Sequence, residues 1–232
     1  MAISENMRAQ QKGFSQAMKN ANDGVAVLQT AESGYQSVSD LLVRMRELAV
    51  QSANDSVSDT ERGYLNTEFT DLIDEMDRIS SVVEYNGIQL LDGTAGSAGT
   101  GAMVFQVGTR DSTNDRIEIN LGLQDSGSLG VNGDTISSLS NAQSAITAID
   151  SALELLSTDR AQIGSTINTL NVAVDGLGSS IENYGTAMSQ IKDTDMAEES
   201  SSFSKSNVLQ QAGVAMLSQA NQTPNLVMRL LG

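Results

Sequence analysis

Apolar residues recur along most of this chain in a four-three rhythm that a long helix satisfies. In the third quarter Ala142, Ile146, Ile149, Leu153, Leu156, Arg160, Ile163, Ile167, Leu170, Val174, Leu177, Ile181, Tyr184, Met188 and Ile191 follow one another without a slip, and Arg160 alone is not apolar. A heptad seam of this length predicts a helix from about Ser140 towards Ile191, roughly 75 Å long at 1.5 Å per residue. Gly164, Gly176, Gly178 and Gly185 lie off the seam and read as points of close packing or bending. Leu65, Phe69, Leu72, Met76, Ile79 and Val83 form a second seam. It is opened by a capping box with Ser58 as N-cap and Glu61 returning the bond, and stopped near Gly87 in a left-handed conformation.

The first helix is predicted over about residues 2–54. Met7, Phe14, Ala21, Leu28, Tyr35, Leu42 and Ala49 recur every seven residues. Their companions shift from Ile3, Met18 and Val25 to Val38 and Met45. A straight 3.6-residue helix drifts this way against a 3.5-residue repeat. Between the second and third helices the texture changes. A Gly/Ser/Thr stretch over 92–101 precedes two alternating runs, Met103, Phe105, Val107 and Ile117, Ile119, Leu121, separated by the polar "TRDSTND". This is a β-hairpin pattern, followed by a loop over 122–134. The expected fold is mainly α: an elongated bundle of long heptad-patterned helices at 2–54, 58–84 and 140–188. A small β-hairpin insert at 94–136 completes a rod-like domain spanning 1–188.

The last segment breaks the pattern. From Ser206 to Met228 no residue is charged, although the protein has a formal net charge of -16. The stretch is long enough to cross a membrane. Asn207, Gln210, Gln211, Gln219, Asn221, Gln222 and Asn225 interrupt it, and Pro224 is expected to break a helix there. Amides at that density are costly in hydrocarbon, so a membrane span is not expected. The tail has no obvious partner left inside the chain.

Composition narrows the function classes. Aromatic residues make up 3%, with no Trp and one Pro, which suits helices packed by aliphatic side chains more than a sandwich or barrel. A charge of -16 with 13 Lys+Arg argues against a nucleic-acid backbone or an anionic membrane as partner. There is no Cys and no His, which removes disulfides, thiolate and imidazole chemistry and most zinc sites. Asp71, Asp74, Glu75 and Asp77 share one side of the second helix and read as a solvated face rather than a metal site. The "RDSTND" run lacks the ligand alternation of a calcium loop. "NDS" at Asn54 and "NQT" at Asn221 fit a glycosylation acceptor pattern too short to carry weight. No nucleophile–base pair, phosphate loop or redox motif is present, so no catalytic residue, metal or cofactor is expected. Arg44 and Leu48 share a helix face, and Leu41 and Leu48 lie beside the seam. Either they broaden the buried stripe, or they leave an exposed apolar spot beside an arginine, a common binding composition.

Three long stretches resemble the bacterial flagellin family: "NANDGVAVLQTAESGYQSVSDLLVRMRELAVQSAN" (20–54), "YNGIQLLDG" (85–93) and "LQQAGVAMLSQANQTPN" (209–225). They stand in the family's order and separation, and the similarity is weakest over 94–136. The resemblance implies a structural, self-assembling subunit of the extracellular flagellar filament, exported without a cleaved secretory signal. Residues 189–232 would then be the C-terminal half of the inner-tube domain, packing on other copies through Val208, Leu209, Ala212, Met216, Leu217, Leu226 and Leu230. It further implies a flagellin export chaperone on the tail, and the Toll-like innate flagellin receptor at Arg44, Leu48 and Glu68. Flagellins normally begin with a further segment before the equivalent of "AISENMRAQ", so the resemblance implies a chain lacking its N-terminal segment. Two other readings remain open: a hook–filament junction protein of the same assembly, and a helical scaffold module that forms no filament.

Overall fold

A computed structural model of the protein describes the backbone of residues 2–192 and 196–231 and the side chains of 3–191 and 199–220. Its elements in chain order are α1 (Ala2–Ser52), α2 (Asp59–Val82), β1 (Glu84–Tyr85), β2 (Ile88–Gln89), β3 (Ala102–Gln106), β4 (Arg116–Asn120), α3 (Leu139–Lys192) and α4 (Met196–Leu231). Three cross-links of side chains fix α1 and α3 as antiparallel. Arg46 bonds Asp150 at 2.7 Å, Arg160 bonds Glu32 at 2.8 Å, and the rings of Phe14 and Tyr184 meet edge to face at 5.3 Å. Helix α2 runs back along the upper half of α1, tied by Arg44 to Glu68 and Arg62 to the Ser52 carbonyl.

The heptad positions of α1 enter the core as the spacing predicts: Ala21, Leu28, Tyr35, Leu42 and Ala49 are all fully buried. On α3 one half of the predicted seam is central. Ala142, Ile149, Leu156, Ile163, Leu170 and Leu177 are buried. Their companions at the centre are Ala145, Ala152 and Thr166, whereas the expected Ile146, Leu153, Ile167 and Val174 only flank the core. Small residues at the centre let the two helix backbones approach closely, and the bulky ones close the sides. Helix α2 likewise buries Phe69, Ile73 and Met76, with Leu65, Leu72, Ile79 and Val83 partly covered. The seam thins at the lower end of the rod, where Ile3 and Ile191 are exposed.

The capping box at Ser58 and Glu61 forms as predicted. Gly87 does not stop α2. The helix ends at Val82, with the Val83 N–H closing on the Ile79 carbonyl. Asn86 (φ 52°) and Gly87 (φ 78°) instead make the tight turn between β1 and β2. Two consecutive left-handed residues suit a two-residue hairpin, and Asn-Gly is the pair that adopts them most readily. The larger hairpin pairs Met103 with Ile119 and Phe105 with Ile117. It lies on α1 where glycine leaves room: a Cβ on Gly24 would meet the Phe105 ring at 2.9 Å. The loop after it is not a surface connection. Leu129, Val131 and Ile136 are buried, and Gln124 donates to the Tyr35 hydroxyl and to Asp159.

The glycines of α3 serve less for packing than their placement suggests. A Cβ at Gly164, Gly176 or Gly178 would meet nothing within 4 Å, and only Gly185 has a neighbour, Gln11. At the other end of the chain α4 continues through Pro224, where the sequence predicts a break. Proline removes one backbone donor and crowds the preceding turn, which penalises a helix without forbidding it.

Candidate assembly surface

Among the described residues helix α4 makes no extended contact with any other element. From residue 199 to 220 every residue is exposed except Asn207, which is partly covered. Exposure in a polar helix is ordinary, but this helix is rich in apolar side chains. Val208, Leu209, Met216 and Leu217 are 64–73% exposed, and Ala212 is exposed with them. These are the packing residues expected from the sequence. Leu226 and Leu230 lie outside the residues whose side chains are described. Phe203 and Val214, also exposed, belong to the same surface and were not among the expected residues. Phe203 precedes Lys205 and so falls outside the charge-free run that marked the tail; its apolar spacing to Val214 and Leu217 is the signal that finds it.

At 100° per residue Phe203, Val214 and Leu217 fall on one side of α4, and Val208, Leu209, Ala212 and Met216 on the opposite side. A helix apolar on two faces, with no charge between Lys205 and Arg229, is built to be covered on both. Exposed contiguous apolar surface of this kind marks an interaction site. Among the described residues no helix is long and apolar enough to cross a membrane.

The second expected site lies on the rod. Arg44 donates from Nε and Nη2 to Glu68 at 2.9 and 2.7 Å and from Nη1 to Glu47 at 2.9 Å. These bonds raise the guanidinium's already high pKa, the Glu68 hydrogen bond most, then that to Glu47. All three side chains are about half exposed. Leu48 differs: it is 1% exposed, inside the core. Of the two readings of Leu48, the broadened buried stripe holds and the exposed apolar spot does not. The stripe widens there because α2 joins α1 along its upper half and covers a second face. The acidic row of α2 is also not uniformly solvated. Asp77 accepts from the backbone N–H and hydroxyl of Ser126 at 2.7 and 3.0 Å, anchoring the 122–134 loop. Among the described residues no group of acidic side chains is arranged to hold a metal ion.

A buried arginine was not foreseen. Arg62 is 5% exposed and donates to the carbonyls of Ser52, Asn54 and Val57, each at 2.8 Å. It closes the α1–α2 turn by satisfying carbonyls that the end of α1 leaves free. Its position three residues after Asp59 suggests an ordinary surface pair, and nothing in local spacing marks the turn it enters.

Comparison with known proteins agrees with this architecture. The bacterial flagellin N-terminal helical region matches residues 1–96, and the bacterial flagellin C-terminal helical region matches residues 146–231. A flagellin of Halalkalibacterium halodurans is 40% identical over 233 residues, covering 100% of this chain and 83% of the relative. The flagellar filament 30.7 kDa core protein of Treponema maltophilum is 40% identical over 239 residues, covering 100% and 84%. The crystal structure of Bacillus cereus flagellin superposes with a TM-score of 0.60 at 28% identity, over 68% of this chain and 88% of that one. A putative flagellar hook-associated protein of Vibrio parahaemolyticus, 16% identical with a TM-score of 0.66 over 82% and 96%, shares the fold. With both family regions and full-length relatives at this identity, the chain belongs to the bacterial flagellin family, whose members are structural filament proteins and not enzymes.

Proposed function

We propose that this chain is a subunit of the extracellular flagellar filament, a homopolymer for motility in which α4 provides the inner packing surface. The observation that carries this is a helix, free of charge between Lys205 and Arg229, whose described apolar side chains stand exposed from Phe203 to Leu217. Burying its two faces against other copies removes apolar area from water, at about 25 cal/mol per Å². The absence of charge avoids repulsion between stacked copies of a chain at -16. Before assembly the same surface is the natural target of an export chaperone. Full-length relatives at 40% identity favour this reading over a hook–filament junction protein, for which the likeness is one of fold.

Amide hydrogen exchange on the isolated chain in dilute solution tests it. Residues 199–220 are expected to exchange fast while the buried segments of α1, α2 and α3 are protected, and to become protected on assembly. A tail protected in a proven monomer would show that it has found a partner inside the chain, and the filament-core assignment would be withdrawn.

The Arg44–Glu68 side of the rod is proposed as the face met by the Toll-like flagellin receptor. Because Leu48 is buried beneath it, Leu48 supports that face rather than touching a partner. Arg44→Ala and Glu68→Ala are expected to weaken receptor binding by about tenfold, the scale of an arginine hot spot. Unchanged affinity in both would remove the site. Leu48→Asp would not discriminate, since a buried carboxylate unfolds its surroundings.

A further inference from the structure

We propose that Met216 is an oxidation site that gates assembly: a peroxide converts its exposed thioether to the sulfoxide in the free chain, and the sulfoxide keeps that face of α4 from packing. The inference rests on the polymeric reading above and adds to it a chemical control over which chains enter the polymer.

The sequence leaves thioether sulfur as the main target of a mild two-electron oxidant. There is no Cys, no His and no Trp, against 10 Met. Burial separates the methionines whose side chains are described. Met45 and Met76 are fully buried, and Met103 is 8% exposed. Met7, Met18 and Met188 are partly covered by the rod. Met216 is 73% exposed. Met1, Met196 and Met228 lie outside the residues whose side chains are described. An oxidant must reach the sulfur itself, so a buried thioether reacts only when the rod opens, and an exposed one reacts directly.

In the step one oxygen atom passes from hydrogen peroxide to the sulfur. A sulfur lone pair attacks one peroxide oxygen, the S–O bond forms and the O–O bond breaks. The departing hydroxide takes the proton from the transferred oxygen and leaves as water. Sulfur loses two electrons and peroxide gains them. No group of the chain has to catalyse this, and no charge is created.

The consequence follows from the position. Met216 shares its side of α4 with Val208, Leu209 and Ala212, none of which has a side-chain donor. A thioether is a flexible apolar filler suited to a contact between copies. A sulfoxide is polar, and burying its oxygen without a donor is costly. The change lies outside the core of the rod, so α1, α2 and α3 keep their packing. A packed sulfur is shielded, so the oxidation acts on the chain before assembly and not on the polymer. With no thiol of its own, the chain cannot reverse the step. Reversal takes an external dithiol, which is oxidised to a disulfide as the sulfoxide oxygen leaves as water, with a separate reductase for each sulfoxide epimer.

Dilute hydrogen peroxide applied to the full-length chain, once as monomer and once after polymerisation, tests the gate. Peptide mass spectrometry reads the gain of one oxygen at each methionine. Met216 is expected to be modified ahead of Met7, Met18 and Met188 in the monomer, with Met45, Met76 and Met103 last, and to be spared in the polymer. The oxidised monomer should lose polymerisation in light scattering while the melting of the rod stays unchanged. Methionine sulfoxide reductases of both epimer specificities, with a dithiol, should restore it. Met216→Leu, which conserves volume, should assemble before and after peroxide, and this separates Met216 from the other methionines. Met216→Gln, which sets an amide near the place of the sulfoxide, should fail to assemble without any peroxide. Slower oxidation of Met216 than of the half-buried methionines would overturn the gate and leave the polymeric reading standing. So would full assembly by a chain oxidised at Met216, or loss of assembly by peroxide-treated Met216→Leu. An unoxidised chain that never polymerises would overturn both.

Discussion

Arg160 of α3 donates from Nε to the Glu32 Oε1 of α1 at 2.8 Å, and this pair is the charged break in the seam. Each side chain is about one-third exposed, and Glu32 Oε2 is buried without a partner. Beside the pair, Gln124 links Tyr35 on α1 to Asp159 on α3. Burial, then the nearby Asp159 carboxylate, holds the Tyr35 hydroxyl protonated well above its ordinary range. The two helices are thus joined at mid-rod by a polar layer that tolerates one register of α1 against α3.

Breaking that pair from one side should cost more than removing it. Arg160→Leu leaves Glu32 without its cation and is expected to destabilise the rod by about 1–2 kcal/mol, less than for a fully buried pair because water still reaches both groups. Replacing both residues by Leu should return stability to the wild-type level or above it. Urea midpoints of the two single variants and the double variant give the coupling directly.

Glycine substitutions should split by position. Gly164→Ala adds a methyl where nothing lies within 4 Å, so the helix-propensity gain of about 0.5–1 kcal/mol should appear as added stability. At Gly24 the same methyl meets the Phe105 ring at 2.9–3.2 Å. The hairpin must shift, and overpacking of about 1–3 kcal/mol should outweigh the propensity gain. Thermal melts of the two variants should move in opposite directions.

Much of this was legible in the residues. Seven-residue recurrence on α1 found Leu28, Tyr35 and Leu42, and the Ser58–Glu61 spacing found a capping box that forms. The three long helices and the small hairpin follow from periodicity, which depends on local geometry. What periodicity missed depends on a third element arriving from elsewhere. Leu48 is buried because α2 covers a second face of α1, and Asp77 is held because a distant loop brings Ser126 to it. Ala145 and Ala152 sit at the centre of the α3 seam because a closely packed helix needs room there, and a hydrophobicity pattern scores them below Ile146 and Leu153. On α4 the pattern identified the surface and could not supply its partner.

Acid should weaken the rod in a defined window. Bonds from the Ser58 backbone N–H, and then from its hydroxyl, pull the Glu61 carboxyl below its ordinary 4.5. Arg78 does the same for Glu75, and Arg46 for Asp150, in each case mainly through a hydrogen bond to the side chain. A depressed folded-state pKa means the unfolded chain binds protons first, so these contributions are complete above the ordinary carboxylate range and disappear as pH falls through the lowered values. Urea midpoints from about pH 7 to about pH 3 should decline accordingly. Glu61→Gln should flatten part of that decline. Ser58→Ala should cost about 1 kcal/mol at neutral pH.

The sharpest contrast is between leucines of the same chemistry on different helices. Leu170 is fully buried between α1 and α3, and Leu209 is 65% exposed on α4. Leu170→Ala should lower the stability of the isolated chain by about 2–5 kcal/mol, the range for a leucine removed from a packed core. Leu209→Ala should change it by no more than about 0.5 kcal/mol, as at a surface position. In assembly the order should reverse. Leu209→Asp and Leu217→Asp leave the rod's melting unchanged and abolish polymerisation, because each would bury an unpaired carboxylate in the contact. Wild-type assembly by either aspartate variant, followed by light scattering and electron microscopy, would mean that α4 meets no partner through these side chains.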